Sequence, residues 1–122
     1  MGTTYFLVNH TRREYVGYAH VGASSKREIA GNGIAASISV WYLLVHRTDA
    51  VAFCSDQDPW PFKDGDWHDL DQYDEVTDRV VAELIDARIF EDHGRQVFSE
   101  DEPDVYLRKL RNIWMEDPRG HL

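Results

Sequence analysis

The sequence predicts an α+β fold in which an N-terminal antiparallel β-hairpin packs against three or four helices and a second small hairpin precedes a C-terminal helix. Three observations lead there. Two short runs rich in aromatic and β-branched residues, Thr4–Asn9 and Glu14–His20, flank the polar stretch His10-Thr11-Arg12-Arg13, which is hairpin patterning. Apolar side chains recur at helical spacing through Tyr73–Ile89, where Val76, Val80, Leu84 and Ala87 share a face widened by Tyr73, Val81 and Ile85. Ile89-Phe90 and Val97-Phe98 then bracket Glu91-Asp92-His93-Gly94-Arg95, with glycine where a tight turn wants it. At 122 residues the chain is sized for one domain with a core of its own.

After the first hairpin, Ser24 or Ser25 caps a short helix through Lys26-Arg27-Glu28-Ile29-Ala30. Ser25 and Glu28 stand at capping-box spacing, and Gly31 ends the helix. Ile34–His46 follows. Ile34, Ile38, Trp41 and Val45 fall at i, i+4, i+7 and i+11, a helical face. Val40–Val45 is apolar on every side, so a buried strand turning at His46-Arg47-Thr48-Asp49 stands as the alternative. Val51–Ser55 reads as a strand in either case. Asp56–Trp67 holds two prolines, a glycine and four aspartates and is a loop, long for so small a domain. Ser99–Pro103 supplies a cap, early acids and an early proline for a last helix over Asp104–Met115, ended by Asp117-Pro118-Arg119-Gly120. Its inward face would be Val105, Leu107, Leu110 and Trp114. The expected core is Phe6, Val8, Val16, Ile34, Ile38, Trp41, Val51, Phe53, Val80, Leu84, Phe98, Leu107, Leu110 and Trp114.

The formal charge of −9 is unevenly spread. Residues 1–48 carry five basic and two acidic side chains, residues 49–104 four and 18, and residues 105–122 four and two. A chain this negative disfavours phosphate neutralisation, so no nucleic-acid partner is expected. The longest apolar stretch, Ile34–Val45, has 12 residues including two serines, against ~20 for a membrane span, so no membrane partner is expected either. The first residues lack a basic signal region, and a single cysteine, Cys54, leaves no intramolecular disulfide. The expectation is a soluble cytoplasmic protein.

Two roles compete for the acids. At helix N-termini they favour the dipole, with Asp69, Asp71, Asp74 and Glu75 opening the long helix and Glu100, Asp101, Glu102 and Asp104 the last one. Alternatively Asp56, Asp58, Asp64, Asp66, Asp69 and Asp71, with Trp60, Phe62 and Trp67 among them, form a negative surface with aromatic anchors.

Other constellations fit their chemistries poorly. A calcium loop aligned on Gly65 puts Trp60 and Phe62 where acids belong and ends on Asp71 rather than glutamate. The six histidines include no helical i, i+4 pair, and His68 beside Asp66 and Asp69 is a local His–carboxylate grouping too small for a metal site. Cys54 reads as a small buried hydrophobe rather than a nucleophile. Gly31-Asn32-Gly33 lacks the later Gly, Lys and Ser or Thr of a phosphate loop. No catalytic residue, metal ligand or cofactor is therefore assigned. Leu84–Phe98, 15 of the 122 residues, resembles the helix-to-wing segment of winged-helix domains. Tyr73–Ala87 carries Asp74, Glu75, Asp78, Glu83 and Asp86 against Arg79 alone, so DNA binding by this surface is not expected, and a winged-helix-like protein interface stays open.

The expected function is a non-enzymatic acidic protein-binding module, inhibitor-like or immunity-like, that docks on a basic partner protein through Asp56, Asp58, Trp60, Asp64, Asp66, Trp67, Asp69 and Asp71. One alternative is a small metal-assisted hydrolase using Asp56, Asp58, Asp64, Asp66 and His68. Another is a self-assembling structural homo-oligomer in which basic ends meet acidic middles.

Overall fold

Residues 4–116 are described by a computed structural model; the helix stop expected at residues 117–120 lies outside them. The class is α+β. Strands β1 (Tyr5–Asn9) and β2 (Glu14–Val16) form the N-terminal hairpin, with Leu7 opposite Val16 and Asn9 opposite Glu14. Helices α1 (Lys26–Gly31) and α2 (Gly33–Val45) follow, then β3 (Val51–Ser55), which pairs antiparallel with the other edge of β1. A short β4 (Asp74–Glu75) runs parallel to β2 and leads into α3 (Thr77–Asp86). The sheet order is β3-β1-β2-β4. β1 is central because both of its faces are apolar: Leu7 faces the main core and Val8 a second cluster, and neither is exposed.

Local signals act where they are self-contained. The Ser25 hydroxyl accepts the Glu28 N–H, and the Glu28 carboxylate accepts the Ser25 N–H, completing the capping box of α1. Asn32 ends α1 and caps α2, its side-chain oxygen accepting from the N–H groups of Ile34 and Ala35. Residues 34–45 are thus helical, not a strand. The inward side of α2 places Ala35, Ile38 and Tyr42 in the main core, with Val16, Val80, Leu84 and Phe90.

One buried acid ties the layers together. Glu14 of β2 is 7% exposed and accepts the Tyr42 hydroxyl of α2 at 2.5 Å and two guanidinium nitrogens of Arg79 of α3 at 2.7 and 3.2 Å. Desolvation raises its pKa, but the hydrogen bonds from Arg79 and Tyr42 and the Arg79 charge outweigh it. The carboxyl therefore sits below the usual range.

The C-terminal third departs from expectation. The residues expected as a hairpin around Gly94 form one strand, β5 (Phe90–Val97), paired antiparallel with β6 (Tyr106–Asn112). Gly94 serves a bulge instead: Asp92 faces Leu110 and Arg95 faces Arg108, so β5 has one residue too many, and Gly94 takes φ +96°. The helix expected over Asp104–Met115 is β6 followed by one turn, α4 (Ile113–Glu116). Arg108, Leu110 and Asn112 are covered while Lys109 and Arg111 are exposed, an alternation that a strand satisfies and a helix does not. His20 holds the far side of β6, stacking on Tyr106 at 3.9 Å and bonding its carbonyl at 2.9 Å. The helix-to-wing likeness fails here as well, since Leu84–Phe98 is a helix end and a single strand rather than strand, turn and strand.

Expected core positions Phe53, Phe98 and Trp114 are 43, 60 and 50% exposed. Phe98 lies beyond β5 in the connection to β6, and Trp114 lies in α4. The acids expected to open the long helix lie elsewhere. Asp69 and Asp71 belong to a 3-10 turn (Trp67–Gln72), Asp74 and Glu75 form β4, and α3 begins at Thr77. Glu100, Asp101, Glu102 and Asp104 are exposed in the β5–β6 connection. Among the described residues no helix is long and apolar enough to cross a membrane.

Candidate functional site

The acidic loop leaves β3 at Ser55 and returns through the 3-10 turn to β4, beside the β1–β2 hairpin. Polar side chains shape its start. The Asp58 carboxylate accepts the Ser55 N–H at 2.9 Å, the Ser55 hydroxyl accepts the Gln57 N–H at 3.1 Å, and Asp56 accepts the Thr4 N–H at 3.3 Å. The first two are the turn-forming bonds that short polar side chains make with nearby backbone, and the third ties the start of the loop to the chain just before β1.

Two indoles close the loop. Trp60 donates its ring N–H to the Asp64 carbonyl and Trp67 donates to the Asp58 carbonyl, both at 2.8 Å. Their rings meet edge to face, 5.3 Å apart, and Trp60 stands likewise 5.3 Å from Phe62. Phe62 stacks on His10 of the first hairpin loop at 4.7 Å, and His10 is hydrogen-bonded to the buried Tyr73 hydroxyl at 2.7 Å. These rings cover the second core cluster of Val8, Cys54 and Tyr73. Asp66 caps the 3-10 turn by accepting the His68 N–H at 2.8 Å, while Asp69 accepts the Asp66 N–H at 3.0 Å. The positive φ of Gly65, +83°, favours glycine, and a Cβ there would also displace the Asp69 carboxylate, whose oxygen would lie 2.7 Å away.

The eight residues expected to bind a partner therefore divide by role. Asp56, Asp58, Asp64, Asp66 and Asp71 are exposed, Asp69 is half-buried, and Trp60 and Trp67 are half-buried with their polar ends turned to the loop's own carbonyls. Among the described residues no ion pair involves any of the six aspartates, and no three of His, Cys, Asp or Glu gather into a metal-holding group. Burial, and then the Asp58 charge, push the Cys54 thiol up to about 11, which keeps it protonated at neutral pH.

Sequence reasoning missed His10 and Tyr73 as members of this cluster. Tyr73 falls on the apolar spacing of the following helix, and His10 lies in a polar hairpin loop with nothing to mark its stacking partner. Comparison with protein-family models, curated proteins and solved structures finds no match.

Proposed function

We propose that this chain is a protein-binding module that docks on a basic partner through the acidic loop, in the manner of an inhibitor or immunity-type protein. The carrying observation is that the loop is already folded: Trp60 and Trp67 fasten it to its own backbone while Asp56, Asp58, Asp64, Asp66 and Asp71 stay exposed. A preorganised array of like charges loses little ordering entropy on binding, and its field speeds encounter with a cation. The tryptophans are the frame of this surface rather than its anchors, and the carboxylates meet lysine or arginine on the partner. One buried, protonated thiol suits a reducing, cytoplasmic setting.

The test is calorimetric titration with two probes, an oligolysine peptide and a small basic nuclease, at rising salt. Affinity is expected to fall as salt rises, and the double charge reversal Asp64→Lys, Asp66→Lys to weaken binding by about tenfold or more. Affinity indifferent to salt and to that reversal, or no binding to either probe, removes the reading.

A further inference from the structure

A helix apolar on all sides belongs in an interior, and α2 is such a helix with one side in solvent. Its outer face leaves Val40 55%, Leu44 58%, Val45 49% and Leu43 37% exposed. From Gly33 to Val45 it has no charged residue. Phe53 of β3 and Trp114 and Met115 of α4 add to the exposed apolar surface beside it, at 43, 50 and 64% exposure. The exposed parts of these residues come to roughly 700 Å², more than the ~300–600 Å² largest patch of a typical monomer and close to the ~800 Å² each partner gives to a standard interface.

The shape of the patch narrows the occupant. Ala36, Val40 and Leu44 stand four residues apart and form a ridge of the kind that packs into a groove on another helix. A groove lies on each side. One, of about 400 Å³, is lined by Ile29, Leu43 and Phe53; the other, of about 410 Å³, by Leu84 and Met115. Ala36 and Val40 line both. A surface that carries ridge and groove together complements a copy of itself, which is the condition a two-fold interface must meet.

Charge is compatible with the same occupant. Two chains of net charge −9 repel, and they repel least where they meet on a face without acids. The acids concentrate in residues 49–104, whereas α2 lies in the basic first part of the chain and offers no carboxylate of its own. A cationic protein of the kind the loop attracts finds nothing on α2 to pair with.

We propose that a second copy of this chain seats on the outer face of α2, the two helices crossing about a two-fold axis near Val40. Sedimentation equilibrium of the full chain is expected to give twice the 14.2 kDa monomer mass. Val40→Glu with Leu44→Glu should weaken association by about a hundredfold or more, and the milder Val40→Ala with Leu44→Ala by about tenfold or more, since each buried methylene contributes ~0.8 kcal/mol. Both variants should keep the wild-type circular dichroism, because neither side chain is in the core. Asp64→Lys with Asp66→Lys should stay dimeric, which separates this interface from the loop reading.

A wild-type monomer at every concentration, or a dimer that both α2 variants leave intact, overturns the proposal. So does an assembly that disperses on reversing the loop charges and not on changing α2. A monomer whose melting temperature rises with an amphipathic helical peptide assigns the face to another apolar occupant and equally overturns it.

Discussion

Glu14 shows how one residue links three elements and sets a pH response. It sits on β2 with a hydroxyl from α2 and a guanidinium from α3 around it, and the His46 charge, when present, acts in the same direction. Its carboxyl titrates lower in the folded chain than in the unfolded one, so the unfolded state takes up the proton first. Its stabilisation is therefore whole above the ordinary carboxylate range, declines from about pH 5 downward, and is gone below the folded value. Glu14→Gln should reduce stability at neutral pH by about 2 kcal/mol. That lies below the ~3–5 kcal/mol of a fully buried pair because Arg79 is 47% exposed. Urea unfolding across a pH series checks both parts: the variant should lose less stability on acidification than the wild type. Some slope should survive, since Asp49, bonded to Asn9 and Arg12, and Asp92, bonded to the Gly94 N–H, are also lowered. Parallel pH curves for the two proteins would show that Glu14 does not carry the effect.

At the scale of elements, the end of α3 is a Schellman motif with the wrong residue in its left-handed position. Ile89 N–H bonds the Leu84 carbonyl and Arg88 N–H the Ile85 carbonyl, each at 3.0 Å, while Arg88 takes φ +63°. Glycine adopts that conformation without strain, so Arg88→Gly should stabilise the protein by about 0.5–1 kcal/mol, read as a raised urea midpoint with an unchanged slope. The same contrast between local and non-local causes separates what could be read in the sequence from what could not. The Ser25–Glu28 box and the first hairpin depend on neighbours within a few residues, and their signatures were legible; β3 was legible from its own apolar run although it pairs with the distant β1, and α2 only as one side of an open choice between helix and strand. β6 depends on a partner strand and on His20, some 86 positions away. In isolation Val105, Leu107, Leu110 and Trp114 resemble a helical face as readily as an alternating one. The loop was legible as a loop with its aspartates, but not the inward turn of Trp60 and Trp67, because their acceptors are backbone carbonyls that any residue supplies. α2 carried the reverse signal: apolar residues all round implied burial, yet one side of the helix meets solvent.

For the whole molecule, the separation of charge makes salt act in two opposite directions. Residues 49–104 hold 18 acids against four bases, and among the described residues the loop aspartates have no ion-pair partner. Their mutual repulsion works against the compact state. The stabilising pair of Glu14 and Arg79 has its carboxylate buried and is screened less. Raising ionic strength from about 0.01 to 0.15 M shortens the screening length from ~30 to ~8 Å, so it should relieve the repulsion more than it weakens the pairs. At fixed protein concentration the melting temperature should rise, by roughly 4 °C if the relief is ~1 kcal/mol. Over the same range, affinity for a basic protein should fall. Replacing Asp64 and Asp66 together by asparagine should shrink both responses, because the carboxylates that repel one another in the free protein are the ones proposed to attract the partner. Thermal melts and titrations on the two proteins in the same buffers make the comparison. A melting temperature that falls with salt, or two responses that do not shrink together, would break the link between the loop's internal repulsion and its proposed binding role.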